Sequence, residues 1–167
     1  MKRPNFLKPR LALLDIDGVI ADDTHRVEYA LKKQWYMYFD HARMGVDGVW
    51  PQGRKLYHRL RWTGWRVGYL TGRREDRRVV TELWLRANGF SVKRAPTMRA
   101  FAQSMPLANL KTEYLRKLIE SGKYSKVVLY DDDPEVIRKI HAELGEEHGV
   151  HCTWHIKQKA LVKTALA

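Results

Sequence analysis

Apolar runs with the length of β-strands alternate along this chain with longer segments that have helical periodicity. The predicted strands cover residues 10–16, 65–70, 90–95, 126–130 and 150–156. Alternation of this kind is typical of parallel sheets, because each crossover between parallel strands needs a long connection, usually a helix. The pattern therefore predicts a Rossmann-like, three-layer α/β/α fold with a central, mostly parallel sheet.

Three helices are predicted from apolar residues that recur every three or four positions. The first covers 74–88 and ends before Gly89, and the second covers 109–121 and ends before Gly122. Glycine at these positions is a common way to end a helix. The third helix begins after Asp133, since Asp followed by Pro is a favoured N-cap and first helical residue.

The composition limits the classes of protein to which this chain can belong. Its 167 residues suffice for one core, so we expect a single domain over 1–167. The net charge of +12 favours nucleic acid or nucleotides as partners over a plain basic surface. Cys152 is the only cysteine, which predicts a reducing, cytoplasmic location. We expect neither a signal peptide within 1–10 nor a membrane-spanning segment.

Polar side chains suited to phosphoryl transfer follow the predicted strands or open a predicted helix. They are Asp15 and Asp17 after the first strand, Thr71, Gly72 and Arg73 after the second, Lys111 near a helix start, and Asp131, Asp132 and Asp133 after the fourth. The carboxyl ends of parallel strands meet at one crevice, so we expect these side chains to converge. Carboxylates can serve as nucleophile, acid–base group and Mg²⁺ ligands, while hydroxyl and ammonium groups hold phosphate oxygens. Taken singly, each has an ordinary alternative: a turn-forming Asp, a helix-capping Thr or a solvated Lys.

In order and context, these four groups resemble the motifs of the haloacid dehalogenase superfamily of phosphatases and phosphotransferases. The motifs are Asp15-Ile16-Asp17-Gly18-Val19, Leu70-Thr71-Gly72-Arg73, Lys111 and Tyr130-Asp131-Asp132-Asp133. The resemblance implies that Asp15 is a nucleophile that forms an aspartyl-phosphate. It also implies that Asp17 is the general acid that protonates the leaving oxygen and the base that then activates water.

The same resemblance implies how phosphate and metal are bound. Thr71 and Lys111 would hold the phosphate. Mg²⁺ would be held by Asp15, the backbone carbonyl of Asp17, and Asp131. Asp132 would be either a direct ligand or a neighbour of one, whereas Asp133 is sufficiently explained as an N-cap.

The chain also resembles the 3′-phosphatase half of the bacteriophage polynucleotide kinase family. The similar features are Thr71-Gly72-Arg73 leading into an arginine-rich helix with Trp84, and the closing run 150–154. This resemblance implies removal of terminal 3′-phosphates from nucleic acid. No Gly-x-x-x-x-Gly-Lys-[Ser/Thr] loop occurs, so we expect no kinase domain in this chain.

Superfamily members often cover the site with a cap domain inserted between motifs. Residues 71–111 have room for one helix, one strand and a loop, which excludes a large cap there. The longer interval 18–70 predicts at most a small helical lid within 24–64. An open site of this kind would admit the end of a polymer.

Several residues near the motifs are candidates for substrate binding. They are Gly72, Arg73 and Arg74 beside the second motif, and His25 and Arg26 after the first. With Arg77 and Arg78, the arginines would place positive charge near the crevice mouth to hold a phosphate backbone. We expect three more basic residues to join them there: Lys93, Arg94 and Arg99. The alternatives are a solvated helix face paired with Glu75 and Asp76, and, for His25 and Arg26, an ordinary first helical turn.

Two further clusters have competing interpretations. Aromatic residues at 35–39 could stack on bases, but the helical spacing of Leu31, Trp35 and Tyr38 favours a place in the core. A zinc site is suggested by His148, His151, Cys152 and His155. Strand alternation disfavours zinc, because it would turn two of these histidines away from the cysteine.

Together, the motifs predict a Mg²⁺-dependent phosphomonoesterase that acts on the 3′-phosphate ends of nucleic acid. A small-molecule 5′- or 3′-nucleotidase is the alternative within enzymes. A nucleic-acid-binding protein with the same fold but no turnover is the alternative from another class. The sequence leaves the oligomeric state undetermined.

Overall fold

The computed structural model describes residues 8–165 of the chain. Its strands are β1 (Arg10–Leu14), β2 (Ala21–Asp22), β3 (Gly48–Val49), β4 (Arg66–Arg74), β5 (Thr97–Arg99), β6 (Lys126–Asp131) and β7 (Gly149–His151). Five of them form a sheet in the order β5-β4-β1-β6-β7, in which all neighbours are parallel. Strands β2 and β3 form a separate antiparallel pair. The predicted mostly parallel central sheet is confirmed.

Helices account for most of the remaining chain. They are α1 (Val27–Leu31), α2 (Trp35–Tyr38), α3 (His41–Gly45), α4 (Pro51–Trp62), α5 (Arg78–Ala87), α6 (Leu107–Glu120), α7 (Pro134–Leu144) and α8 (Ile156–Ala165). Short 3₁₀ turns lie at Thr24–Arg26, Glu75–Arg77 and Glu146–His148.

Side chains of β1 point alternately to the two faces of the sheet and enter two separate hydrophobic clusters. Ala12 and Leu14 pack with buried residues of α4 and α5, including Trp84. Leu11 and Leu13 pack with buried residues of α6 and α7. Because successive residues of a strand face opposite sides, one apolar run serves both cores. This arrangement confirms the predicted three-layer α/β/α fold.

The prediction of a strand over 90–95 is wrong, because Phe90 closes the end of α5. Its backbone N–H donates to Leu85 O at 2.8 Å, and its ring stacks on Trp84 with centroids 5.8 Å apart. The edge strand of the sheet comes later, at β5. Apolar composition therefore did not indicate a strand here, since Phe90 is buried against the end of a helix instead.

The prediction of a strand over 150–156 holds only at its beginning, because β7 ends at His151. The N–H of Cys152 donates at 2.8 Å to the carbonyl oxygen of Asp131, which is the last residue of β6. No further residue of β6 is available to pair, so the chain turns and α8 begins at Ile156.

The helix predictions differ from the structure mainly at their beginnings. Helix α5 starts at Arg78 because β4 continues through Arg74 and a 3₁₀ turn intervenes. The predicted N-cap is confirmed: the side chain of Asp133 accepts from Glu135 N–H at 2.8 Å and Pro134 opens α7.

Within residues 8–165, no helix is both long enough and apolar enough to cross a membrane. The prediction that 1–10 is not a signal peptide falls largely on residues 1–7, which lie outside the described part of the chain.

The segment between β1 and β4 folds back tightly over the end of β1. It contains helices α1 to α4, and α4 comes close to the loop after β1 at Gly53. A Cβ atom on Gly53 would overlap the carbonyl oxygen of Val19 and lie 2.9 Å from Ile20 Cα. The absence of a side chain at this position therefore allows α4 to sit against the loop that carries Asp15 and Asp17.

We expect Gly53→Ala to destabilise the fold, although alanine is the better helix former. The new methyl group meets backbone atoms that cannot move aside, and overpacking typically costs about 1–3 kcal/mol. Urea unfolding followed by circular dichroism measures this change. The matched control is Gly45→Ala, where the nearest atom to the new Cβ is Val80 Cγ2 at 3.7 Å. An unfolding midpoint equal to that of the control would contradict the close approach.

Candidate active site

Two neighbouring strands bring Asp15 and Asp131 together at the carboxyl end of the sheet. Leu14 and Tyr130 are paired in the β1–β6 register, and Asp15 N–H donates to Tyr130 O at 2.9 Å. Asp131 is the last residue of β6, so the two carboxyl groups lie side by side at the carboxyl end of these strands. The predicted convergence of the first and fourth motifs is therefore present in the structure.

Lys111 lies between these two carboxylates and is completely buried. Its Nζ donates to Asp15 Oδ2 at 2.8 Å and to Asp131 Oδ2 at 2.6 Å. The side chain comes from the second turn of α6, so this helix is fastened to both strand ends. An ammonium group can make two such charge-assisted hydrogen bonds while its cost of burial is offset by two opposite charges.

Burial and mutual repulsion shift the ionisation of this cluster. Burial raises the pKa of Asp131 to about 6; Lys111 opposes the rise and Asp15 adds to it. Burial likewise raises the pKa of Asp15 against the pull of Lys111. Burial alone would lower the pKa of Lys111, but Asp131 and Asp15 raise it above its ordinary value. Lys111 is therefore a permanent cation, whereas a further positive charge would stabilise the ionised forms of both carboxyl groups.

A third carboxylate completes a cluster suited to a divalent cation. Asp15, Asp131 and Asp132 each place one oxygen within 4.8 Å of the others, the one such group found among residues 8–165. Gly18 has φ +79° and lies so close to Asp132 that a Cβ atom would overlap Asp132 Oδ2. Three hard oxygen donors in this spacing fit Mg²⁺ or a similar ion.

Asp17 belongs to a separate, second cluster. It accepts hydrogen bonds from Arg26 and Arg73, including Arg73 Nε to Asp17 Oδ2 at 3.0 Å. Both guanidinium groups are completely buried, and both also donate to Asp47 Oδ2, Arg26 at 2.6 Å and Arg73 at 2.8 Å. Burial would raise the pKa of Asp17, but Arg73 and Arg26 lower it well below its usual range.

Asp47 is the member of this cluster that sequence reasoning missed. Its side chain is completely buried, and its backbone carbonyl accepts a hydrogen bond from Trp84 Nε1 at 2.8 Å. With Asp47, the cluster has two carboxylates for its two guanidinium groups and is neutral. An isolated acidic residue between Val46 and Gly48 carries no periodic or motif signal that distinguishes it from a surface turn.

The structure places the candidate substrate-binding residues in different environments. Arg73 and Arg26 lie in the interior, so the predicted placement of Arg73 at the crevice mouth is wrong. The same prediction is wrong for Lys93 and Arg94, because they lie beside Arg66 at the start of β4, at the opposite end of the sheet. Arg74 is half exposed, with its guanidinium 4.0 Å from the Phe101 ring centroid. His25 is exposed, and its Nε2 lies 3.1 Å from Arg43 O. All three surface arginines of the predicted face pair with acids: Arg74 and Arg77 with Asp76, and Arg78 with Glu75 and Glu82.

The second motif lies on a strand rather than after one, because β4 runs to Arg74. Thr71 is buried, and its Oγ1 accepts from Arg73 N–H at 3.2 Å. Gly72 lines the pocket, and a Cβ there would lie 3.0 Å from Leu107 Cδ2. Gly72 thus presents backbone to the pocket, whereas the Thr71 hydroxyl is buried beside it.

A pocket of about 400 Å³ opens over Asp15 and Asp17. One wall is aromatic and consists of Trp35, Tyr38 and Phe39, while Asp132 and His155 lie among its other lining residues. Tyr38 is buried as predicted, but the prediction that Leu31 and Trp35 belong to the core is wrong, since they are about half exposed. Helix α2 is a single turn, so helical spacing there does not indicate a buried face.

The histidine and cysteine cluster is dispersed in the structure. His148 Nδ1 lies 2.7 Å from Val127 O, and His151 Nε2 lies 3.1 Å from Asp132 O. His155 is buried, with its Nε2 3.5 Å from Asp132 Oδ2. His155 lies beside the carboxylate cluster because the chain turns after β7 ends at His151. The predicted strand over 150–156 had no turn at this point.

We expect Asp47→Asn to destabilise the protein strongly, because it leaves two buried guanidinium groups with a single carboxylate. Removing one partner of a buried ion pair typically costs about 3–5 kcal/mol. Urea unfolding measures the change. The control is Glu143→Gln, which breaks the half-exposed pairs with Arg116 and Lys139 and should leave the midpoint almost unchanged. Equal midpoints for both variants would show that Asp47 does not hold the arginines.

No protein-family model and no curated protein matches this chain. Solved structures do match. A chain of the Pnkp1/Rnl/Hen1 complex gives a TM-score of 0.68 at 21% identity, over 87% of this chain and 46% of that chain. The class C acid phosphatase of Bacillus anthracis, with tungstate bound, gives 0.60 at 14% identity, over 87% and 68% of the two chains. A hydrolase from Streptococcus pneumoniae TIGR4 gives 0.54 at 13% identity, over 94% and 100%.

The present chain spans less than half the length of the matched chain in the Pnkp1/Rnl/Hen1 complex. At these identities the likeness concerns the fold. The likeness confirms the predicted fold: this chain has a haloacid dehalogenase-like α/β fold with a central parallel sheet.

Proposed function

We propose that this protein is a Mg²⁺-dependent phosphomonoesterase that works through an aspartyl-phosphate on Asp15. The observation that carries the proposal is the cluster in which Lys111 joins Asp15 to Asp131, with Asp132 beside them. It combines a carboxylate nucleophile, a fixed ammonium group and oxygen ligands in one corner. Phosphoryl transfer requires this combination of positioning and charge neutralisation.

The carboxylates of Asp15, Asp131 and Asp132 would hold Mg²⁺, together with the backbone carbonyl of Asp17. When bound, Mg²⁺ would neutralise charge on the phosphate and between the carboxylates. Lys111 supplies a second positive charge at the same corner. With Thr71 Oγ1, it would hold the phosphate oxygens while Asp15 approaches phosphorus.

The chemistry takes two displacements. In the first, an oxygen of Asp15 forms a bond to phosphorus, the bond to the leaving oxygen breaks, and Asp17 gives that oxygen its proton. In the second, Asp17 takes a proton from water, the water oxygen bonds to phosphorus, and the bond to Asp15 breaks. Inorganic phosphate leaves, and both carboxyl groups return to their starting forms.

The two arginines around Asp17 set a condition on this scheme. They favour its ionised form, which is the form needed to accept the proton of water. Proton donation to a leaving oxygen requires the opposite form, so Asp17 must give up at least part of its contact with Arg26 or Arg73 when substrate arrives. A change in side-chain torsion of Asp17 toward the pocket would achieve this.

The substrate class that we propose is the 3′-phosphate end of nucleic acid. The net charge of +12, the aromatic wall of the pocket and the half-exposed Arg74 support it. One similar structure is described as a Pnkp1/Rnl/Hen1 RNA repair complex, which gives the proposal further support. Helices α1 to α4 would form the small lid within 24–64 and leave the pocket open to a polymer end. Because the same aromatic wall fits the base of a mononucleotide, a nucleotidase is the second candidate.

A panel of substrates tests this assignment. Phosphate release is measured from 3′-phosphorylated oligonucleotides, 5′-phosphorylated oligonucleotides and mononucleotides. The highest kcat/KM is expected for the 3′-phosphorylated ends. A higher kcat/KM for mononucleotides would replace the proposal with the nucleotidase.

Asp15→Asn should abolish release from every substrate while circular dichroism shows a preserved fold, since an amide is a poor nucleophile. Asp17→Asn should lose on the order of 10²-fold or more, and less with p-nitrophenyl phosphate, whose leaving group needs little protonation.

We expect metal binding to depend on pH through Asp131. A carboxyl whose pKa is raised to about 6 keeps its proton below that pH, and a metal can bind only the deprotonated form. The increase in thermal unfolding midpoint that Mg²⁺ produces should therefore be large at pH 7.5 and small at pH 5. Asp131→Asn is the control and should show no increase at either pH. An equal increase at both pH values in the wild type would exclude Asp131 as a ligand.

A further inference from the structure

A strongly basic surface lies at the end of the sheet opposite the candidate active site. It is formed where α4 ends, β4 begins and the loop after α5 passes beside them. We define this basic surface by the exposed residues Arg59, Arg61, Trp62, Arg66, Lys93 and Arg94. Arg66 opens β4 and Thr71 lies five residues further, so the two regions are separated by about 16 Å of strand.

The basic surface contains shallow, open depressions. Three depressions of about 510, 590 and 600 Å³ adjoin one another there, and Arg61 lines all three. No acidic residue of the described part of the chain lines any of them. Hollows with cationic walls accept a chain of anionic groups more readily than they accept an apolar or cationic partner.

The charge of this surface has no local counterpart. Residues 48–74 and 83–112 contain neither Asp nor Glu. Elsewhere, basic side chains pair with acids, as Arg78 does with Glu75 and Lys139 with Glu143. Among residues 8–165, no ion pair involves the arginines or the lysine that define the basic surface. Their charges are therefore available to an external anion.

Trp62 distinguishes this surface from an ordinary solvated face. It is the last residue of α4 and is 92% exposed, which is exceptional for a side chain of this size. Its ring contributes nothing to either hydrophobic cluster. A fully exposed indole among arginines offers a stacking platform next to phosphate-binding groups, the combination found where proteins bind single-stranded nucleic acid.

We infer that the basic surface is a second binding site, specific for single-stranded nucleic acid. Arg61, Arg66 and their neighbours contact backbone phosphates, and Trp62 stacks on an unpaired base. The ligand is a single strand rather than a duplex, because stacking on Trp62 needs a base that is not paired. This site needs no terminal phosphate, so it is independent of the proposed phosphatase activity.

Fluorescence anisotropy tests the inference with a labelled single strand of about 12 nucleotides that has a hydroxyl at its 3′ end. Such a strand offers no phosphate monoester to Asp15. Arg61→Gln combined with Arg66→Gln should weaken binding. The slope of log affinity against log salt should become flatter by about 1.4, since each lost phosphate contact removes roughly 0.7 for a single strand.

Trp62→Ala separates stacking from charge. It should weaken binding on the order of ten-fold and leave the salt slope unchanged, because the variant removes a ring and no charge. A duplex of the same sequence should bind wild type and Trp62→Ala equally well.

The matched control is Lys117→Gln combined with Arg138→Gln. It removes the same two charges from exposed positions on α6 and α7, across the sheet from α4. Affinity in this control should stay close to wild type. Hydrolysis of p-nitrophenyl phosphate, or the circular dichroism spectrum if the protein proves inactive, reports on the fold of every variant.

Three outcomes would overturn the inference. The first is an equal loss of affinity in the control and in the arginine variant, which would reduce the effect to net charge. The second is normal binding in both the arginine variant and Trp62→Ala. The third is displacement of the oligonucleotide by polyglutamate at equal charge concentration, with Trp62→Ala behaving like wild type. That last result would point to an acidic protein as the partner.

Discussion

The ammonium group of Lys111 is the contact on which the rest of the site depends. Asp15 and Asp131 are brought side by side by the β1–β6 pairing, and two buried carboxylates at that distance repel each other. Lys111 offsets this repulsion and at the same time fixes α6 against the carboxyl end of the sheet. One side chain therefore links the electrostatics of the site to the packing of a helix. Without the Lys111 ammonium group, repulsion between the two ionised carboxylates would destabilise the pairing of β1 with β6.

The second cluster gives Asp17 an environment opposite to that of Asp15, although the two residues are only two positions apart. Burial raises the pKa of Asp15, whereas Arg73 and Arg26 lower that of Asp17 despite its burial. These shifts are opposite to the proposed tasks, because a general acid must hold its proton, so Asp17 can serve as the acid only after it loosens its contact with Arg26 or Arg73. Because Arg26 belongs to the segment before α4 and Arg73 to β4, the same ion pairs also attach that segment to the sheet. Asp47 keeps the cluster neutral, so the segment between β1 and β4 cannot shift without exposing or unpairing buried charge.

The elements that sequence predicted best are those in which one local pattern decides the outcome. An apolar run followed by Asp15, and the N-cap at Asp133, needed no knowledge of the tertiary fold. The failures occurred where tertiary contacts decide. Phe90 is apolar because it closes α5, not because it lies in a strand, and Trp35 has helical spacing on a helix too short to have a buried face. Asp47 and the buried state of Arg73 depend on partners 26 residues apart in the chain, which no local pattern encodes.

The formal charge of +12 is distributed unevenly between interior and surface, and this determines what it can do. Arg26, Arg73 and Lys111 are each matched by buried carboxylates, so they contribute little to the field outside the molecule. The arginines at the start of α5 are largely paired on the surface. The unpaired excess therefore lies on other faces, among them the basic surface where α4 meets β4. Arginines near the second motif are thus a weaker source of polymer affinity than their number suggests, and the salt dependence of nucleic-acid binding should be governed by Arg61 and its neighbours.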